Sequence, residues 1–338
     1  MNITVFGSGA WGTAIALVLH DNGHEVTLWS KFETEVETLR VSRENPLLGG
    51  VKIPNDIAMT SDIAKAAEDA HAAVFAVPSF AVRDTARALR SCLDDECIVI
   101  CMSKGIEKDS SALFTDILIE TLGNPARIAS VSGPTHAEEV SRRIPSACVA
   151  ASEQIAVAER VQDLLMNDYL RVYTSTDVIG VELGAALKNV IALSLGVCVG
   201  LGFGDNTKAM LMTRGLAEMA ELCVKLGGRK ETLAGLTGLG DLIVTCLSEH
   251  SRNRRAGELI GKGLSAEEAM VKVGAVVEGY YAAKAACELA KSVGVEMPIC
   301  SEAYKVLYEN KQPISAMKEL MARERKSETR SGEERWVT

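Results

Sequence analysis

Short continuous apolar runs alternate with longer stretches of helical period through the first half of the chain. Ile3-Thr4-Val5-Phe6 predicts a strand, Thr13 to Asp21 a helix, and Glu25 to Trp29 a second strand. Ala72 to Val77, Cys97 to Met102 and Arg127 to Ser132 are further apolar runs, each followed by a polar or Gly/Pro break. Runs of this kind, separated by helices, indicate a mostly parallel sheet buried on both faces. Ser146 to Ala151 and Leu170 to Tyr173 are candidate edge strands. From about Asp177 the texture changes: alanine, leucine and glycine recur at helical spacing over 177–200, 207–226, 265–272, 278–293 and 301–309. No convincing β-branched run follows. The pattern predicts an α/β fold, with a sheet domain over 1–180 and an all-helical domain over 181–327. The tail after Met321 is dense in both charge signs, and 328–338 is expected to be disordered.

At 338 residues the chain is long enough for two cores, and 47% hydrophobic with 24% charged residues excludes wholesale disorder. Lysine and arginine number 36 against 45 acids, a net charge of −9, which argues against a protein that coats nucleic acid. Aromatics at 4% also leave little for stacking on single strands. The nine cysteines are scattered without a CxxC pair and read as small apolar fillers in a reducing compartment. Met1 to Phe6 lacks the basic start of a signal peptide. Val178 to Phe203 is interrupted by Glu182, Lys188 and Asn189; beyond these it is too short for the ~20 apolar residues a bilayer needs. A cytoplasmic protein without membrane insertion or nucleic-acid partner is expected.

Gly7-Ser8-Gly9-Ala10-Trp11-Gly12 follows a strand and opens a helix. In that context Gly7 permits the tight turn, Gly9 lets a pyrophosphate approach the backbone, and Gly12 lets helix and strand pack closely. The first domain is therefore read as a Rossmann-like dinucleotide-binding domain. An NAD site usually carries Asp or Glu at the end of the second strand. Here that strand ends in Ser30-Lys31, which suits the 2′-phosphate of NADP, with Arg43 able to help if its loop folds back. A plain solvated Lys31 is the alternative. NADP is favoured, with NAD or dual use open.

Polar clusters interrupt apolar surroundings at Ser103-Lys104-Gly105, at Lys188-Asn189, and from Gly240-Asp241 through Thr245 to Ser251-Arg252-Asn253-Arg254-Arg255. Lys104 follows a strand at the sheet edge where open α/β folds bind ligands. Lys188 shares a helix face with Gly184, Ile191 and Leu195. Burial there would lower its pKa toward the range of general acid/base work. Snorkelling, or a plain ion pair with Glu182 or Asp241, is the other reading. Ser251 is a candidate N-cap, and Arg252 beside free helix N–H groups makes a phosphate site; a nucleic-acid patch or a solvated helix start are the alternatives. The five histidines have no ligand spacing, so no metal is expected.

These segments, with Val131-Ser132-Gly133-Pro134-Thr135, Lys188-Asn189-Val190-Ile191-Ala192, Thr213 to Met219, Gly238 to Leu242 and Val277-Glu278-Gly279-Tyr280, run in order to about residue 310. Together they resemble bacterial-type NAD(P)-dependent glycerol-3-phosphate dehydrogenase. The resemblance implies that Lys188 transfers the proton, with Lys104 and Asp241 also catalytic. It assigns substrate contacts to Lys104, Gly133, Thr135, Lys188, Asn189, Asp241, Thr245, Ser251, Arg252 and Asn253. It assigns cofactor contacts to Gly7, Gly9, Ala10, Trp11, Gly12, Lys31, Lys104, Ala137, Arg252, Val276 and Glu278. It further implies dihydroxyacetone phosphate and sn-glycerol 3-phosphate as substrates, a homodimer, and supply of phospholipid synthesis. A β-hydroxyacid dehydrogenase shares the architecture but would bind a carboxylate. A non-catalytic NADP-binding sensor would have no need of Lys188, Lys104 and Asp241.

Overall fold

The protein is described here from a computed structural model covering residues 1–108, 110–325 and 327–328. The first half alternates strand and helix: β1 Asn2–Phe6, α1 Ala10–Asp21, β2 Glu25–Trp29, α2 Glu33–Ser42, β3 Ala58–Thr60, α3 Ile63–Ala67, β4 Ala72–Phe75, α4 Val82–Leu89 and β5 Ile98–Cys101. It continues with α5 Phe114–Leu122, β6 Ile128–Ser132, α6 Ala137–Val140, β7 Ser146–Ala151, α7 Ile155–Leu165 and β8 Leu170–Ser175. All eight strands form one sheet in the order β3-β2-β1-β4-β5-β6-β7-β8. Every pairing is parallel except β6 with β7. The order reverses at β1, which lies between β2 and β4, and at such a point a crevice opens beyond the strand ends.

Successive side chains of a strand point to opposite faces. Val5 and Val74 accordingly join one core with Ile15 and Val18 of α1, while Phe6 and Phe75 join the other with Leu89 and Phe114. Both faces are covered, so β4, β5 and β6 are buried at every position. That is the physical reason these strands read as unbroken apolar runs. β3 has no such run, being three partly exposed residues at the sheet edge, and the sequence pattern misses it. β7 is not an edge strand; it lies between β6 and β8, and of the two expected edge strands β8 alone is terminal.

The rest is helical: α8 Val178–Gly200, α9 Asp205–Lys225, α10 Lys230–Ala234, α11 Asp241–Leu247, α12 Arg252–Gly261, α13 Ala266–Val273, α14 Glu278–Ser292, α15 Pro298–Tyr308 and α16 Pro313–Met321. One turn of π-helix over Leu236–Gly240 leads into α11. The short helices α10, α11 and α16 escape a search for long periodic segments. Among the described residues no strand follows β8. The expected disordered tail lies, from residue 329 onward, outside the described residues.

α8 is long and apolar enough to cross a membrane, yet it is the core helix, packed against α9, α11, α12 and α14. Asp177 caps it, accepting from the Gly180 N–H at 2.9 Å while also holding the Arg229 N–H and the Thr232 hydroxyl. The α8–α12 contact is close enough for backbones to touch. A Cβ on Gly257 would lie 2.0 Å from the Leu193 carbonyl oxygen, and one on Gly196 2.1 Å from that of Arg254. Because the obstructing atoms are backbone, a methyl group can be admitted only by moving a helix. Gly257→Ala should therefore lower the unfolding free energy by roughly 1–3 kcal/mol or more. Gly49→Ala, where a Cβ meets nothing within 4 Å, should stay within about 0.5 kcal/mol of the parent. Equal urea midpoints for the two variants would contradict this packing.

Candidate active site

The glycine loop is forced by space. Gly7 has φ of 119°, and a Cβ there would lie 2.6 Å from the Ala76 carbonyl oxygen. A Cβ on Gly12 would lie 1.8 Å from the Gly7 carbonyl oxygen, so α1 and the turn pack backbone to backbone. Gly9 is different: its Cβ direction meets nothing within 4 Å. That open cradle lies at the amino terminus of α1, which begins at Ala10 rather than Thr13 and has no side-chain cap. Its free N–H groups and dipole suit a diphosphate. Next to them the Trp11 indole Nε1 is buried without a partner among the described residues. An orphaned donor and an open backbone cradle at one helix start fit a dinucleotide.

At the end of β2 the structure departs from the sequence reading. Lys31 is exposed, and Arg43 is tied to its own loop, its Nη1 donating to the Pro54 and Ile57 carbonyl oxygens at 3.0 Å each. The missing carboxylate is present after all, one helical turn on. Glu35 of α2 accepts from Ser30 Oγ at 2.6 Å and from Ser8 Oγ at 3.0 Å. The signal was Val36 and Leu39, the buried pair that turns α2 onto the sheet and fixes where Glu35 falls.

The chemical centre lies where α8, α11 and the loop after β5 meet. Lys188 Nζ donates to Asp241 Oδ1 at 2.5 Å and to Thr245 Oγ1 at 2.8 Å. Lys104 Nζ donates to the other carboxylate oxygen of Asp241 at 2.9 Å and to the Gly133 carbonyl at 2.9 Å. Glu182 is not the partner of Lys188; it turns away to accept from the Thr115 amide and hydroxyl. The π-turn before Asp241 starts α11 in the register that puts Asp241 and Thr245, one turn apart, on the same ammonium. Burial lowers the Lys188 pKa, and although Asp241 opposes this, Lys104 adds like charge; the result is about 8. Burial would raise Asp241, but the two ammonium groups outweigh it and hold its carboxyl below the usual range.

The remaining expected site residues lie on neighbouring turns and helix starts. Thr135 is buried, its hydroxyl donating to the Gly133 carbonyl at 3.1 Å, and Ala137 opens α6 just beyond. Ser251 does cap α12, accepting from the Arg254 N–H at 3.2 Å. Arg252 stands exposed at that helix start and takes no hydrogen bond or ion pair among the described residues, whereas Arg254 is occupied by Glu258. Asn189 and Asn253 are joined, the Asn253 amide donating to Asn189 Oδ1 at 2.9 Å and accepting from the Gly279 N–H at 2.8 Å. They lock α8, α12 and the start of α14 together. Val276 lies partly exposed just ahead of α14, and Glu278 reaches across to the Ser79 N–H in the turn after β4. The sequence reading omits His136, whose ring packs 6.2 Å from that of His250 and whose Nε2 is buried without a partner among the described residues. Its place between Thr135 and Ala137 was the available signal.

Similarity to known proteins agrees with this geometry. Residues 2–158 match the family described as NAD-dependent glycerol-3-phosphate dehydrogenase N-terminus, and 177–318 match its C-terminus. The chain belongs to that family. It is 47% identical over 334 residues to a glycerol-3-phosphate dehydrogenase [NAD(P)+] of Fusobacterium nucleatum, covering 98% of this chain and 99% of the relative. It is 49% identical to the one from Agathobacter rectalis, over 96% of this chain and 97% of that protein. The crystal structure of glycerol-3-phosphate dehydrogenase from Coxiella burnetii superposes with a TM-score of 0.92 at 35% identity, covering 95% and 99% of the two chains. D-mandelate dehydrogenase, at 16% identity and TM-score 0.63 over 93% of this chain and 99% of that one, shares the fold alone.

Asp241 separates two ammonium groups in a buried space, which makes the cost of removing it specific. Asp241→Asn should destabilise the protein by roughly 3–5 kcal/mol, because two cations are left facing each other. Adding Lys188→Met should recover part of that loss. Urea denaturation of the single and double variants decides it: a double variant less stable than Asp241→Asn would contradict the arrangement.

Proposed function

We propose that the chain interconverts dihydroxyacetone phosphate and sn-glycerol 3-phosphate with NAD(P)H and NAD(P)+. The observation that carries this reading is a buried lysine of lowered pKa, held by Asp241 within reach of Lys104, in a chain whose glycine loop fits a dinucleotide. The residues that would hold the dinucleotide are Gly7, Gly9, Ala10, Trp11 and Gly12, with Lys31, Lys104, Ala137, Arg252, Val276 and Glu278 around them. When bound, its nicotinamide supplies the hydride that adds to the ketone carbon.

In reduction, negative charge grows on the ketone oxygen and Lys188 gives it the Nζ proton, completing the alcohol. Asp241 and Thr245 fix the direction of that N–H, and Lys104 stabilises the developing alkoxide. In oxidation Lys188, as the neutral amine, takes the hydroxyl proton back. Arg252, with Ser251 and Asn253, is assigned the phosphate, so that binding energy far from the carbonyl positions it. Gly133, Thr135 and Asn189 complete the substrate pocket. The arginine fork beside a capped helix start suits a phosphate dianion better than the carboxylate of a β-hydroxyacid. In this reading residues 1–180 form the dinucleotide-binding domain and 181–327 the substrate and catalytic domain, with Lys104, Gly133 and Thr135 of the first reaching the substrate and Arg252, Val276 and Glu278 of the second reaching the cofactor. On the family resemblance alone it extends to a cytoplasmic homodimer whose product feeds phospholipid synthesis.

The test is cofactor oxidation followed spectrophotometrically with dihydroxyacetone phosphate. Lys188→Ala should lower kcat by roughly 10²–10⁴, the share of a positioned acid. Turnover within threefold of the parent, in a folded variant, would sink the assignment. Arg252→Ala should cut kcat/KM for dihydroxyacetone phosphate by roughly 10²–10³, while barely changing the feeble turnover of unphosphorylated dihydroxyacetone. Equal losses on both substrates would mean that the phosphate is held elsewhere.

A further inference from the structure

The amino-terminal half of α2 carries three carboxylates with different surroundings. Glu37 pairs with Arg40 at 2.6 Å; Glu33 lies 3.9 Å from the same guanidinium and also accepts from the Ser61 hydroxyl. Glu35 has no cation in ion-pair range among the described residues. It is held instead by two hydroxyls, and their positions matter. Ser8 lies between the first two glycines of the loop, and Ser30 is the residue directly after β2. The first is where the diphosphate is cradled; the second is where Rossmann folds meet the adenosine ribose.

Both hydroxyls are fixed in their turn. Ser30 is buried, and its Oγ accepts from the Phe32 N–H at 3.4 Å, which leaves its proton for Glu35. The Ser8 carbonyl is anchored from the opposite side by the Asn45 amide at 2.8 Å. Glu35 Oε2 takes both serine protons, and Oε1 accepts no hydrogen bond among the described residues. A carboxylate built into this position presents a free acceptor to a ribose diol, whose O–H groups donate. Toward a 2′-phosphate it presents only like charge.

We propose that Glu35 is a cofactor-specificity residue, binding the ribose diol of NADH and holding back NADPH against the attraction of Lys31. This rests on the dehydrogenase reading above, and it reverses the preference expected from Ser30-Lys31 alone. Glu35→Gln keeps the shape and removes the charge. Dissociation constants for NADH and NADPH, measured by nucleotide fluorescence on the folded protein, give a readout independent of turnover. The ratio of Kd for NADPH to Kd for NADH should fall by roughly tenfold in Glu35→Gln, a modest figure because the site is open to water and salt. Glu35→Asp, which retains the charge, should stay nearer the parent ratio. If Glu35→Gln leaves the ratio unmoved, changing both constants equally or neither, or if Glu35→Asp shifts it as far, the proposal is overturned. A parent protein that binds neither nucleotide would overturn the dehydrogenase reading together with it.

Discussion

One buried carboxylate holds the chemical centre together. Asp241 lies between the ammonium groups of Lys188 and Lys104, and the buried Lys188 cation would be costly in that space without it. Its two oxygens are divided between them, so it sets the separation of the two lysines as well as their charge. Burial and the second ammonium keep Lys188 near neutrality in its titration, while Asp241 keeps it from being lost as a cation altogether. A lysine balanced in this way can give a proton and recover it at ordinary pH.

The three groups come from distant parts of the chain, and the fold holds them at these distances. Lys104 follows β5, at the carboxyl edge of the parallel sheet. Lys188 lies midway along α8, which is clamped from several sides, with α12 approaching so closely that Gly196 and Gly257 admit no side chain. Asp241 arrives through a π-turn. The Asn189–Asn253–Gly279 chain of hydrogen bonds then ties the start of α14 to the same axis, and Glu278 carries the tie to the turn after β4. The glycine loop and Lys188 are thus fixed against each other through backbone contacts and buried amides.

Much of this is readable in the sequence where one physical demand dominates. Strands buried on both faces must be apolar throughout, so β1, β4, β5 and β6 stand out; β3, half exposed at an edge, does not. Gly7 and Gly12 are dictated by atoms less than 3 Å away, and Lys188 is conspicuous because an ammonium in an apolar helix needs an explanation. The ion partner of Lys188 is not decidable from spacing, since Glu182 and Asp241 both qualify until the fold turns Glu182 toward Thr115. Glu35 is hidden for a related reason. It is a carboxylate on a short polar helix, and only the packing of Val36 and Leu39 against the sheet shows that it faces Ser8 and Ser30. Which way Arg43 turns is equally hidden, since only the fold shows backbone carbonyls of its own loop holding its Nη1.

The balance struck at Lys188 is accessible through the pH dependence of kcat/KM, which reports the ionisation of the free enzyme. With Lys188 as the proposed proton donor, ketone reduction needs the ammonium, so its kcat/KM should be level at low pH and decline as pH rises through about 8, while oxidation of glycerol 3-phosphate should climb over the same range. Opposed limbs meeting near that pH are the predicted result. Limbs displaced to about 10.4, where an ordinary lysine titrates, would contradict the account.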